Sequence, residues 1–196
     1  HHAKSFNSDS SDRMRELIKK YSPHALGEMG LDFFRNLSSH DEQVFAFKEQ
    51  IKLAIEFNKP LFLHQRDSHE SFIKVLNTYK TDIDKAVVHC FTGTQLELDD
   101  YVESDFYIGL TGWICDERRN KDLRASIKNI PLNRLMLETD SPYLIPRNLK
   151  PKPKSNRNEP KNLMHIASEI AGLRSESIEE ICNATYQNSL NFFNQV

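Results

Sequence analysis

The stretch Pro60-Leu61-Phe62-Leu63-His64-Gln65-Arg66-Asp67 sets a short apolar run against an imidazole, a guanidinium and a carboxylate. An unbroken apolar run too short for a helix, opened by a proline and closed by polar chemistry, predicts a strand buried on both faces of a parallel sheet. The same grammar recurs outward from it. On the N-terminal side, His40 to Asn58 carries Val44, Phe47, Ile51, Ala54 and Ile55 at helical spacing; before it, His24 to Leu31 reads as a buried strand and Asp12 to Tyr21 as a helix. On the C-terminal side, Ser71 to Lys80 reads as a helix and Ala86-Val87-Val88 as a strand, and Leu96 to Val102 as a helix followed by the strand Phe106 to Leu110. Lys121 to Lys128 is then a helix and Leu135-Met136-Leu137 a strand. Five strands alternating with helices predict an α/β fold, its parallel strands joined by right-handed crossovers. Beyond Asp140, Pro142, Pro146, Pro151, Pro153 and Pro160 break regular structure before two helices, Asn162 to Ala171 and Ser177 to Phe193.

Such a sheet is either open or closed into a barrel. An open dinucleotide-binding sheet wants G-x-G-x-x-G after a strand, and the six glycines never take that spacing. At 196 residues a single domain over 1–196 is expected. The formal charge of −2 gives no global basic field, so any anion-binding surface is local. The longest apolar run, Val44 to Phe47, is four residues, far below the roughly 20 that a membrane span needs. His1 to Phe6 does not read as a secretory signal, and Cys90, Cys115 and Cys182, odd in number and without CxxC spacing, suit a reducing cytosol. A cytoplasmic location without membrane association is expected.

Four strands are followed or closed by a residue suited to holding a cation: Glu28, His64, His89 and Asp140. In a barrel the carboxyl ends of all parallel strands meet on one face, so residues this far apart in sequence would converge. A single histidine beside an apolar strand is more often a core residue; four such positions on successive strands are a stronger signal. Two carboxylates and two neutral imidazoles sum to −2, which one divalent ion balances, while two bare carboxylates in a desolvated pocket would repel. Metal-assisted hydrolysis is the reaction class this predicts. Mixed nitrogen and oxygen ligands admit magnesium, zinc, manganese or iron, as one ion or two.

Further polar groups flank the candidate ligands. Arg66 is balanced between a surface ion pair and a phosphate contact; Trp113 between core packing and base stacking; Asp116-Glu-Arg-Arg119 reads as a solvated helix start. Residues 147–161 hold six basic residues, Arg147, Lys150, Lys152, Lys154, Arg157 and Lys161, against Glu159, leaving 20 basic and 27 acidic residues elsewhere. A basic loop following Asp140 would draw a polyanion toward the site. Arg66, Trp113, Arg147, Lys152 and Arg157 are therefore the candidate substrate contacts.

Taken together, Gly27-Glu-Met-Gly-Leu-Asp32, Leu63-His-Gln-Arg-Asp67, Val88-His-Cys-Phe-Thr-Gly93, Tyr107-Ile-Gly-Leu-Thr-Gly-Trp113, Leu137-Glu-Thr-Asp-Ser-Pro-Tyr-Leu144 and Arg157-Asn-Glu-Pro160 resemble the TatD-type deoxyribonucleases. The resemblance runs from about residue 24 to the last helix. It implies a (β/α)₈ TIM barrel of the metal-dependent hydrolase type and magnesium-dependent cleavage of DNA, commonly 3′–5′ on single strands. It further implies that Glu28 bridges the metals, that His64 and His89 bind one, and that Asp140 binds the other and orients the water. With about five strands, the chain reads as such a barrel without its N-terminal strands; His1-His2 then reads as the remainder of a His-Pro-His segment rather than a tag. DNA is the expected partner and no obligate protein partner is inferred. The rival readings are a metal-dependent hydrolase of a small ester or amide and a non-catalytic barrel that only binds.

Overall fold

The computed structural model describes residues 1–194, in which the expected α/β alternation is present. Two compact units are distinguished: His1–Val88 with Phe192–Asn194, and His89–Asn191.

In the first unit, α1 (Ser8–Tyr21) precedes β1 (Leu26–Asp32), α2 (His40–Glu56), β2 (Leu61–Arg66), α3 (His69–Thr78) and β3 (Ala86–Val88). β1 pairs parallel to β2, and β2 to β3. Leu31, Leu63 and Val87 are fully buried, as strands covered on both faces require. α2 buries Phe47, Ile51 and Ala54 from the predicted stripe, and Phe47 stacks on Phe72 of α3 at 5.2 Å. Its start is fixed by a capping box, Ser39 accepting from the Glu42 N–H while Glu42 accepts from that of Ser39.

β1 departs from the reading in one respect. Glu28 is not at a strand end but third of seven residues, in a bulge: Gly27 pairs with Phe62 and Met29 with Leu63, so β1 spends one residue more than β2. A bulge re-aims the side chain it carries. Strand length explains the misreading, because β1 and β2 continue through polar residues to Asp32 and Arg66, and apolar content alone stops short of them.

In the second unit, α4 (Gln95–Glu103), β4 (Tyr107–Leu110), α5 (Lys121–Ser126), β5 (Leu135–Leu137), α6 (Leu163–Ala171) and α7 (Ile178–Phe192) follow in order. β4 and β5 are parallel. α6 lies against β5 and buries Ile166, Ala167 and Ile170. The Asn188 amide on α7 donates to the Leu132 and Leu135 carbonyls, tying that helix to the entry of β5. Asp116 to Arg119 is a tight turn rather than a solvated helix start: Asp116 is buried, and Arg118 and Arg119 close onto its carboxylate at 2.6 and 2.9 Å. Those hydrogen bonds, from Arg118 above all and against the opposing effect of burial, hold the Asp116 carboxyl far below the usual range.

Candidate active site

In the first unit, Gly30 pairs with His64 across β1 and β2, and the bulge turns Glu28 to the same place: His64 Nδ1 lies 2.8 Å from Glu28 Oε1. The other ring nitrogen, Nε2, donates to Asp32 Oδ2 at 3.0 Å. Gly30 is required here, with φ of +146° and a Cβ position only 1.9 Å from the His64 carbonyl oxygen. Asp32 is itself held from behind: its N–H donates to Gln43 Oε1 at 2.8 Å, and the Gln43 amide donates to its carbonyl. Asp32 also accepts from the Arg35 N–H at 2.7 Å and the Arg35 guanidinium at 3.1 Å. Burial opposes the charge on Asp32, but these donors and the His64 ring outweigh it and keep the carboxyl below its ordinary value. His1 joins the group, its Nε2 2.7 Å from the Arg35 guanidinium and 3.7 Å from Asp32 Oδ2. A cavity of about 350 Å³ opens over Glu28, Asp32, His64 and His1.

The second unit repeats the arrangement on different strands. His89 follows β3 and is buried; its Nδ1 is hydrogen-bonded to Glu138 Oε2, and its Nε2 lies 3.9 Å from Asp140 Oδ1. Glu138 Oε1 accepts the Cys90 N–H at 3.3 Å, and the Glu138 N–H donates to the Leu110 carbonyl. Gly109 leaves room for this carboxylate, since a Cβ there would lie 1.6 Å from Glu138 Oε1. Asp140 sits on a left-handed turn (φ +54°) that buried Asn158 ties down, donating to the Thr139 carbonyl and, through its backbone, to that of Pro142. Cys90 places its Sγ 3.3 Å from Thr111 Oγ1.

Each histidine thus has a carboxylate on one nitrogen and the other nitrogen turned toward a carboxylate read from the sequence as a ligand. That is how metal-bound imidazoles are fixed in tautomer and direction. Two sets of donor atoms are each within 4.8 Å of one another, His1–Asp32–His64 and His89–Cys90–Asp140, and fit a divalent cation; Glu28, beside His64, belongs to neither set. Asp32, Glu138, His1 and Cys90 were not among the candidates. Asp32 had a signal, being four residues after Glu28 in an extended run and so on the same strand face; Glu138, two before Asp140, had the same one.

The candidate substrate contacts are placed unevenly. Arg66 ends β2, with its guanidinium 3.7 Å over the exposed Phe34 ring. Trp113 is half-buried, with Arg119 3.9 Å over its ring and its Nε1 donating to the Arg119 carbonyl. Arg147 leans on Asp116 at 3.5 Å, while Lys152 and Arg157 are exposed.

Parallel strands alternating with helices make the chain an α/β protein, and its likeness to solved TatD-family structures makes its fold that of the TIM-barrel hydrolases. A family model described as TatD related DNase matches residues 1–194. The chain is 46% identical over 193 residues to the 3′-5′ ssDNA/RNA exonuclease TatD of Pantoea vagans, covering 98% of this chain and 74% of that protein. It is 47% identical over 196 residues to the protein of that name from Yersinia pseudotuberculosis, covering 100% and 75%. Among solved structures, it is similar to YJJV, a TatD homolog from Escherichia coli, with a TM-score of 0.87 and 27% identity over 97% of this chain and 72% of that one. A TatD family hydrolase from Entamoeba histolytica has a TM-score of 0.82 at 27% identity, covering 95% and 69%. The chain belongs to the TatD-related DNase family, whose members are metal-dependent. No helix among the described residues is long and apolar enough to cross a membrane.

Proposed function

We propose that the protein is a metal-dependent nuclease hydrolysing DNA phosphodiester bonds, a 3′–5′ exonuclease on single strands. Glu28, His64, His89 and Asp140 are its metal ligands, and Asp140 and Glu28 its catalytic carboxylates. The observation that carries this reading is the paired geometry of His64 between Asp32 and Glu28 and of His89 between Glu138 and Asp140. When bound, a divalent ion, magnesium in first place with zinc or manganese as alternatives and one or two per site, polarises the phosphodiester and acidifies water.

The chain's own residues do the rest. Asp32 and Glu138 hold the imidazoles in one tautomer. Asp140, on its pinned turn, orients the attacking water and takes its proton at a carboxylate oxygen. Arg66, Lys152 and Arg157 meet the phosphates, and Arg147, shared with Asp116, and Trp113, shared with Arg119, are the further substrate contacts. A single hydrolase domain over 1–196 is supported by the unbroken family match, and a cytosolic setting by three cysteines present as thiols.

The test is Asp140→Ala assayed on a single-stranded oligonucleotide across a metal titration. Loss of metal-dependent cleavage by at least about 100-fold, with the melting temperature kept, is expected. Full activity in that variant would overturn the assignment, and faster turnover of small esters than of DNA by the unmodified chain would replace it with an esterase.

A further inference from the structure

Phe34 is a large aromatic ring, 60% exposed, on a loop that is nevertheless firmly held. The residue before it donates its N–H to the Arg66 carbonyl at 2.9 Å and stacks its ring on His40 at 3.6 Å; the residue after it is bonded to Asp32 through both backbone and side chain. The ring thus stands on an anchored turn with much of its surface open to a partner from outside.

The register says where that partner lies. Asp32 pairs with Arg66 across β1 and β2, so Phe34 and Arg66 each stand two residues beyond a member of the His64 pair. At roughly 3.3 Å per residue, Arg66 is about 7 Å along the strand from His64. The Arg66 guanidinium lies over the Phe34 ring, 3.7 Å from its centre, and has no carboxylate partner among the described residues. Trp113 is the instructive contrast: the arginine on its ring is already neutralised by buried Asp116, and the ring is half-buried with its N–H in use. Of these two pairs, only the one at Phe34 joins an exposed ring to a cation without a carboxylate partner.

Planar apolar surface and fixed positive charge side by side match a nucleotide, whose base stacks while its phosphate needs a counter-charge. We propose that Phe34, backed by Arg66, is a stacking platform for the base of the nucleotide adjoining the phosphodiester at Glu28 and His64, with Arg66 contacting that nucleotide's phosphate. The platform rests on the nuclease reading and deepens it: it accounts for a preference for single strands, whose bases are open to stack, over duplex, whose bases are not. Stacking tolerates any base, so it would set strand state rather than sequence.

Binding of a single-stranded oligonucleotide carrying 2-aminopurine near its 3′ end, measured by its fluorescence in chelator so that cleavage cannot intervene, tests this on the full chain. Phe34→Ala is expected to weaken binding about tenfold and abolish quenching of the probe, with Phe34→Trp restoring both. The same strand with abasic positions at that end should bind both forms equally. In cleavage assays Phe34→Ala should raise KM with little change in kcat. If Phe34→Ala binds the normal strand as tightly as the unmodified chain, or loses as much on the abasic strand, the platform is wrong while the nuclease reading stands. If the unmodified chain neither binds nor cleaves single strands, both fall.

Discussion

Asp32 accepts three hydrogen bonds on two carboxylate oxygens, from the Arg35 N–H, the Arg35 guanidinium and the His64 ring. It thus supports His64 and also stands in the donor set His1–Asp32–His64. Outer carboxylates of this kind typically contribute about 10–100-fold in metal affinity. Asp32→Ala should weaken manganese binding by about that factor in calorimetric titration with Glu28 and His64 intact, and an unchanged affinity would remove Asp32 from the site. Asp116 is a different case, a buried carboxylate clamped by arginines with no ligand role assigned. Because its pKa is depressed on folding, its contribution is fully present above the unfolded aspartate value of about 3.9 and is lost as pH falls toward the folded value. Asp116→Asn should thus cost about 1–2 kcal/mol at pH 7, the arginines being half exposed and screened. The melting-temperature gap to the unmodified chain should narrow progressively below about pH 4; a gap constant down to pH 2 would show that the clamp carries no charge-dependent stability.

At the scale of elements, the strands and helices were legible wherever apolar periodicity reached their ends. β3 and β5 coincide with the reading residue for residue, and the helices agree to within a few residues at their ends. The polar continuations of β1 and β2 were not legible, because backbone pairing with a neighbour, rather than local composition, keeps Asp32 and Arg66 extended. The same limit applies to the site. Glu28, His64, His89 and Asp140 stood out as polar residues beside apolar runs, but Asp32 and Glu138 acquire their roles from histidines 32 and 49 positions away, which only strand register and folding bring to them. Gly30 belongs to this scale too. Gly30→Ala would push a methyl into the His64 backbone at a φ that side chains avoid, so the two strands must part. A loss of about 2–4 kcal/mol in stability together with weaker metal binding is expected, read from thermal melts and the same calorimetric titration. A variant as stable and as metal-avid as the unmodified chain would contradict the close approach.

Across the whole chain, charge is unevenly spread: a net −2 conceals a basic segment at 147–161 within an otherwise acidic protein. Lys152 and Arg157 in that segment are exposed, unlike Arg147, which Asp116 partly occupies. If both contact phosphates, Lys152→Ala with Arg157→Ala should lower the slope of log affinity against log salt for a single strand by about 1.4, measured by anisotropy. An unchanged slope would place the loop off the binding path.

The extra residue in β1 has a consequence for how this chain tolerates change in length. Gly27 and Met29 already face the consecutive β2 residues Phe62 and Leu63, so loss of Glu28 would remove the ligand yet leave Asp32 opposite Arg66, whereas loss of one residue from Met29 to Leu31 would slip that register and turn Asp32 to the other face. The four residues from Met29 to Asp32 thus form a reading frame in three dimensions, in which a one-residue slip turns the supporting carboxylate and the exposed ring away together.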